Sequence, residues 1–221
     1  MVQTSVNTSV PAPVDPDLLI EALLYSVSHD LRSPLLTLSL AGELIAESFH
    51  HEVREEPSSA QIALDALHHG ARDLERMLQA LTVVSRARRR PLEPSRSPLR
   101  MLLGGHIVIS DAGDLGNELV RVDPIALREL IDSICGEEPS EIQVTLLDDY
   151  VVLRLPLQDS LSEVRGAPLV VLAQSLQHHA GTLVEALAAG QVVLERSDGR
   201  VAVTDDGVCI WLPRLEQRGS V

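Results

Sequence analysis

The sequence predicts two joined folds: an all-α helical hairpin that pairs with a second copy into a dimeric four-helix bundle, followed by an α+β sandwich domain. Three observations carry this expectation. Apolar residues recur in alternating steps of four and three at Ile20, Leu24, Val27, Leu31, Pro34, Leu38, Ala41 and Ile45, a sustained heptad seam. A basic connector with three prolines, Arg86 to Pro98, then stops helical continuation. Beyond it, short β-branched runs alternate with Asp/Gly turns and two helical patterns, as in an antiparallel sheet with helices on one face.

Taken in order, residues 1–14 are rich in Ser, Thr, Val and Pro and read as a flexible tail. Asp15-Pro16 supplies an N-cap with Pro in the first helical position. The seam that follows makes a helix about 40 Å long at ~1.5 Å per residue, too long for a helix lying across a small globule. Residues 49–57 lose the pattern and end in Pro57. Ser58 with Gln61 forms a capping box for a second helix. That helix has two adjoining stripes, Leu64-Leu67-Ala71-Leu74-Leu78-Leu81 and Ala63-Leu67-Gly70-Leu74-Met77-Leu81-Val84, a face wide enough for more than one neighbour. Two helices cannot bury it alone, so a homodimer is expected. The hairpin is assigned to 15–88, a linker to 89–98, the α+β domain to 99–216 and a tail to 217–221.

Within the second domain the sequence predicts a strand over His106–Ile109 and a helix capped by Asp123-Pro124 running through Ile134. It predicts a hairpin of Ile142–Leu147 and Val151–Leu157 around Asp148-Asp149, and a helix over Leu169–His179. Further strands are expected at Gln191–Arg196, Val201–Thr204 and Val208–Leu212, with turns at Asp198-Gly199 and Asp206-Gly207.

Composition bounds the chemistry. The 221 residues suffice for one sizeable domain or two small ones. Hydrophobic residues make up 45% and aromatics only 2%, so the core is aliphatic. The net charge of −14 argues against a nucleic-acid surface and against anionic membranes. Every cation is Arg; without Lys there is no Schiff-base chemistry and no phosphate-binding P-loop Lys. Cys135 and Cys209 are isolated and read as reduced core residues. No apolar run reaches the ~18 residues of a spanning helix, and Met1–Val14 lacks a signal-peptide pattern, so a cytoplasmic location is expected. The pairs His50-His51, His68-His69 and His178-His179 lack a spaced ligand set, and no metal is expected.

The chemical centre is Ser28-His29-Asp30-Leu31-Arg32-Ser33-Pro34-Leu35. His29 lies two residues from both seam positions Val27 and Leu31, so it points away from the bundle core. Neutral imidazole is a competent nucleophile near neutral pH and can carry a covalent phosphoryl group. Asp30 can orient the ring or accept a proton. Pro34 cannot donate the helical hydrogen bond to the carbonyl of residue 30, which loosens the backbone there. Helical spacing places Arg32, Ser33, Leu36, Ser39, Leu40 and Glu43 on the same side. Leu36 and Leu40 read either as surface hydrophobics of a docking patch or as secondary core packing.

This motif, on a heptad helix followed by a second helix and an α+β domain, resembles the dimerisation and phosphotransfer domain of two-component histidine kinases. The resemblance covers residues 15–88. It implies that His29 is the phosphoacceptor and Asp30 its acidic neighbour. Ser33 then stands where the family has the Thr or Asn that positions water for regulator dephosphorylation. It also implies response-regulator receiver domains as partners, bound through Arg32, Leu36, Ser39, Leu40 and Glu43.

The second half resembles the family's ATP-binding domain in outline. Asp123-Pro124-Ile125-Ala126-Leu127-Arg128-Glu129-Leu130-Ile131 is similar to the lead-in of the N-box helix, with Ser133 at the position of the Mg-binding Asn. The Asp-x-Gly-x-Gly segment is replaced by Gln158-Asp159-Ser160. Gly166-Ala167-Pro168-Leu169 is aligned with the second glycine-rich stretch, before Leu176-Gln177-His178-His179-Ala180-Gly181. Gly207-Val208-Cys209-Ile210-Trp211-Leu212-Pro213 matches the terminal strand. The scaffold persists and the nucleotide motifs are broken, so no cofactor is expected. The reading is a histidine phosphotransferase; an ATP-dependent kinase with diverged motifs and a non-catalytic adaptor that binds receivers are its alternatives.

Overall fold

The computed structural model describes residues 10–11, 15, 17–18, 20–21, 24, 31–50, 58–110, 118–136, 139–156, 158, 161, 165–175 and 182–215. Backbone at Asp17, Leu18, Ile20, Glu21 and Leu24 is helical. Two long helices follow, α1 (Arg32–His50) and α2 (Ser58–Arg89), packed side by side. The predicted seam is largely the packed face: Pro34 and Ala41 are buried, and Leu31, Leu38 and Ile45 are half-buried, while Leu24 is exposed. On α2 the stripe through Ala63, Gly70, Met77 and Val84 is buried, and Leu64 and Leu78 of the other stripe are exposed. Gly70 sets the helix approach. A Cβ there would lie 3.3 Å from both the Pro34 carbonyl oxygen and Leu38 Cγ, so any side chain would push α1 away.

The remainder runs β1 (Ser95–Pro98), α3 (Leu99–Leu103), β2 (Ile107–Ser110), β3 (Leu119–Val122), α4 (Pro124–Cys135), β4 (Glu141–Leu146), β5 (Tyr150–Leu155), α5 (Pro168–Ser175), α6 (Thr182–Glu195), β6 (Arg200–Thr204) and β7 (Gly207–Leu215). The strands form a seven-stranded sheet in the order β1-β3-β7-β5-β4-β2, with β6 also on β7. Only β2 and β4 pair in parallel. The predicted mainly antiparallel sheet is therefore present. Its inner face, including Val151, Leu153, Leu155, Val208, Ile210 and Leu212, shares one hydrophobic core with α3, α4, α5 and α6. That face carries the described helices, which leaves the opposite face bare of them.

The core does not stop at the basic connector. Ile20 and the α2 residues Met77, Ala80, Val84 and Ala87 belong to the same cluster. Arg196 fastens the junction: its Nη1 donates to the carbonyls of Ala87 (3.2 Å) and Arg90 (2.9 Å), satisfying acceptors that a helix end leaves open. Arg90 pairs with Glu129, and Arg88 with Asp17 at 2.7 Å. The arginines at the end of α2 thus do more than complement its dipole. Two of them tie it to other elements.

One predicted element is corrected. Gln191–Arg196 is not a strand but the end of α6 with its C-terminal turn. The β-branched pair Val192-Val193 resembles a strand locally. However, Val184, Leu187, Ala188, Gln191, Val192 and Leu194 are all buried, so α6 is apolar nearly all round and its period is muted. The helix ends in a Schellman motif: Asp198 takes φ 62°, and Gly199 N–H donates to Leu194 O at 2.9 Å. Three short elements, β1, α3 and β3, were not predicted.

Burial pushes the Glu185 carboxyl above the usual carboxylate range. Burial does the same to Glu195, opposed by Gln191 and Arg200 and reinforced by Asp15. Such groups stabilise the fold while protonated; the contribution is complete below the ordinary value of about 4.3 and is lost as pH rises through the raised one. Glu185→Gln should therefore melt like wild type near about pH 4 and a few degrees higher near about pH 7.5, as read by calorimetry. No difference between the two conditions would contradict this.

Candidate functional site

His29 and Asp30 lie outside the described residues, which resume at Leu31. From there α1 is ordered by its own bonds. Leu35 N–H donates to Leu31 O at 3.2 Å, and Thr37 Oγ1 donates to Ser33 O at 3.0 Å, the back-bond that Ser and Thr make in helices. Pro34, without an N–H, is buried against α2.

The six residues predicted on the His29 side, Arg32, Ser33, Leu36, Ser39, Leu40 and Glu43, are all exposed. They lie on the side of α1 opposite the buried Pro34 and Ala41. Leu36 is 61% exposed and Leu40 51%, so neither is core packing within one chain. Large apolar residues are exposed beyond this row too. Leu35 and Leu44 on α1, and Ile62, Leu64 and Leu78 on α2, are exposed as well. The double stripe on α2 already pointed to Leu64 and Leu78; Leu35 and Leu44 sit beside the heptad seam, and no periodicity singled them out.

The other half of the expected machinery sits around α4. Asp123 caps this helix, its Oδ1 accepting from Ile125 N and Ala126 N, each at 3.0 Å, while Oδ2 accepts from Glu93 N at 3.1 Å. Burial pushes the Asp123 carboxyl up, but the N–H groups of Ala126 and Glu93, the Arg90 guanidinium and the Ile125 N–H hold it below the usual range. Ser133, at the position aligned with the Mg-binding Asn, spends its hydroxyl on the Glu129 carbonyl at 2.7 Å. Gln158 donates its side-chain amide to the Ile134 carbonyl. Leu161, one turn on, is fully buried in the core. Gln158 thus ties the chain after β5 to the end of α4, and Leu161 belongs to the common core.

The alignment of the second glycine-rich stretch is corrected. Gly166 (φ 103°) is an extended bridge to the sheet: it exchanges N–H···O bonds with Val203 of β6, at 2.8 and 3.0 Å. The helix that leads into the terminal β6–β7 pair is α6, ending at Ser197-Asp198-Gly199, and α5 is a separate short helix before it. The segment preceding α6, residues 176–181, is outside the described residues. Pro168 does remove a donor from the start of α5, and the next N–H, of Leu169, goes to Gln191 Oε1 at 2.8 Å.

Two clefts border α4. One of about 400 Å³ lies between α2, α4 and α6, floored by Ala126, Leu130, Ala189 and Gly190, with Arg90 and Glu129 among its lining residues. The other, about 630 Å³, is bordered by His106, Arg128, Asp132 and Ser133. Neither is lined by α5. Among the described residues no helix is long and apolar enough to cross a membrane.

No family model and no curated protein matches the chain. Among solved structures, the chain is similar to the Acinetobacter baumannii histidine kinase AdeS, at 12% identity and TM-score 0.37, over 86% of this chain and 98% of that one. It is similar to the histidine kinase ThkA, solved in complex with the response regulator protein TrrA, at 15% identity and TM-score 0.36; the match spans 91% of this chain and 64% of ThkA. A bacterial phosphotransferase matches at 11% identity and TM-score 0.31, over 92% and 100%.

Proposed function

We propose that the chain is a homodimeric histidine phosphotransferase of a two-component relay that works without ATP. His29 takes a phosphoryl group from the aspartyl phosphate of one receiver domain and passes it to the aspartate of another. A ring nitrogen supplies its lone pair to phosphorus, the acyl-phosphate P–O bond breaks toward the receiver carboxylate, and Asp30 takes or shares the proton of the other ring nitrogen. The return step runs the same path backwards. Ser33, standing where the family has Thr or Asn, supports water-mediated dephosphorylation of the regulator more weakly than they do.

The observation that carries this reading is the exposed row that continues the His29 motif. Arg32, Ser33, Leu36, Ser39, Leu40 and Glu43 stand open on one side of α1, which suits docking of a domain-sized partner. Support for the absence of ATP chemistry comes from Gln158-Asp159-Ser160, which has no glycine where the family carries Asp-x-Gly-x-Gly, and from the Gln158 amide, which is spent on the Ile134 carbonyl. The exposed Leu35 and Leu44 of α1, with Ile62, Leu64 and Leu78 of α2, support pairing of two hairpins.

Leu36→Asp and Leu40→Asp are expected to slow transfer from a receiver by about 10- to 100-fold each, the effect of losing ~1.5–3 kcal/mol of apolar burial at a docking face. Both side chains are exposed, so melting temperatures should stay within a few degrees of wild type. Equal transfer rates would remove these residues from the docking face. The function itself is tested with a receiver phosphorylated on its aspartate: wild type should become labelled and His29→Ala should not. Labelling by Mg-ATP alone would establish a kinase instead. A His29→Ala protein that keeps full biological activity would establish an adaptor.

A further inference from the structure

The stretch that joins the helical pair to the α+β domain is anchored along most of its length. Arg90 N–H donates to the Arg86 carbonyl at 2.9 Å, one step past the end of α2. The Arg90 carbonyl accepts from Arg196 Nη1 at 2.9 Å, and the Arg90 guanidinium pairs with Glu129 of α4. Leu92 packs against the common core. Glu93 N–H donates to the Asp123 carboxylate at 3.1 Å. Ser95–Pro98 is β1, in register with Val122 to Leu119 of β3. Leu99 N–H then donates to the Glu118 carbonyl at 2.8 Å, and the Leu99 side chain is fully buried.

Its composition suits this. Pro91, Pro94 and Pro98 have φ already fixed and no N–H to satisfy, so ordering the stretch costs less entropy than ordering a free chain. The flanks are held as well. Met77, Ala80, Val84 and Ala87 of α2 share one core with Leu127 and Leu130 of α4 and with Leu187 and Val192 of α6. Arg196 also donates to the Ala87 carbonyl at 3.2 Å. Arg88 pairs with Asp17, which lies in helical backbone ahead of the His29 motif. A connection between bodies free to move has the opposite character, exposed and polar with few contacts crossing it.

We propose that residues 89–98 are a lock and not a hinge: they hold the α+β domain in one position against the helical pair, and phosphoryl transfer at His29 proceeds without displacement of that domain. The transfer part rests on the relay reading; the lock does not. Swinging the domain away would break the Arg196 bonds to the end of α2, the Arg90–Glu129 pair and the Glu93–Asp123 bond. It would also expose the core shared by α2, α4 and α6. Openings that break many bonds and expose apolar surface lie near the free energy of global unfolding, not near that of loop motion. The receiver, and not the domain, then makes the approach to His29.

Trypsin tests the lock. Without Lys the chain offers it only arginines, and the bonds after Arg89 and Arg96 lie in the stretch. A protease cuts a folded segment through its opened population. The full chain should therefore be cut at these two bonds at least about 100-fold more slowly than a free peptide running from Val84 to Leu103. Arg196→Ala and, separately, Glu129→Gln should speed cleavage after Arg89 by about tenfold. Thermal melts establish that each variant folds; if one does not, the other alone decides. Cleavage of the full chain at the peptide's rate overturns the lock, and so does a rate unchanged in the folded variants. The transfer part is tested by fixing the junction. Arg86 and Ser133 are exposed and line the same cleft between α2 and α4. After Arg86→Lys and Ser133→Lys the two new side chains are the only amines besides the N-terminus, so a short bifunctional amine reagent joins them. The joined chain should relay label from receiver to receiver within about twofold of the unjoined double variant. A loss of about tenfold or more on joining would show that the domain must move, and overturns this part. A double variant that relays nothing while wild type does would be replaced by Arg86→Lys with Ala189→Lys. No relay by wild type would remove the transfer part with the relay reading, and the trypsin result would decide the lock by itself.

Discussion

Gly207→Ala is expected to lower the melting temperature by about 10 °C or more, one of the two largest losses of stability expected for this chain. Gly207 opens β7 at φ 142°, a conformation that side chains rarely adopt. A Cβ there would lie 2.2 Å from the carbonyl oxygen of Leu155. That oxygen belongs to the backbone of β5, which pairs with β7 from Leu155↔Val208 to Tyr150↔Pro213, so it cannot retreat as a flexible side chain would. The residue also closes the β6–β7 turn, its carbonyl accepting from Thr204 Oγ1 at 2.9 Å. Backbone strain and overpacking each cost about 1–3 kcal/mol. Together they reach about 4 kcal/mol, and a chain of this size loses roughly 2–4 °C per kcal/mol. Gly42→Ala is the control. Nothing lies within 4 Å of a Cβ at that position, and replacing a helical Gly should stabilise by about 0.5–1 kcal/mol. Equal melting of the Gly207 variant and wild type would contradict the β5–β7 geometry.

Asp123→Ala is the second. One carboxylate closes three backbone donors: Ile125 and Ala126 at the start of α4, and Glu93 before β1. Losing an N-cap costs about 1 kcal/mol, and leaving a buried N–H unsatisfied costs about 1–3 kcal/mol more. A loss of about 2–3 kcal/mol is expected by denaturant titration, with α4 and the approach to β1 loosened together. The pH dependence has a definite sign. The Asp123 carboxyl is held below its usual range, so its contribution is present above the unfolded value of about 3.9 and is lost as pH falls through the lower folded one. The gap between wild type and Asp123→Ala should therefore narrow on acidification below about pH 4. A gap that stayed constant there would mean the charge contributes nothing.

What was legible in the sequence follows a physical division. Elements fixed by local chemistry were readable: α4 by its Asp-Pro start, the β4–β5 hairpin by its alternation, the helical pair by its heptads. Elements fixed by distant partners were not. Ser95–Pro98 becomes a strand only because Val122 to Leu119 lies beside it, and nothing in Ser-Arg-Ser-Pro announces that. Gln191–Glu195 reads as a strand alone and as a helix once burial on every side is known. The exposed row on α1 followed from the helical period, as did the outward direction expected for His29. The Gln158 amide on the Ile134 carbonyl, the burial of Leu161 and the bridge at Gly166 depend on long-range contacts. They could be found only in the fold.

In the proposed relay, phosphate reaches and leaves this chain on other proteins. The direct test is a relay with three components: a receiver carrying labelled aspartyl phosphate, the full chain, and a second, unlabelled receiver. Label should appear on the second receiver only when the chain is present. It should vanish with His29→Ala, and it should not appear when Mg-ATP replaces the first receiver. Transfer that proceeds equally through His29→Ala, or label drawn from ATP by the wild-type chain, would contradict the account.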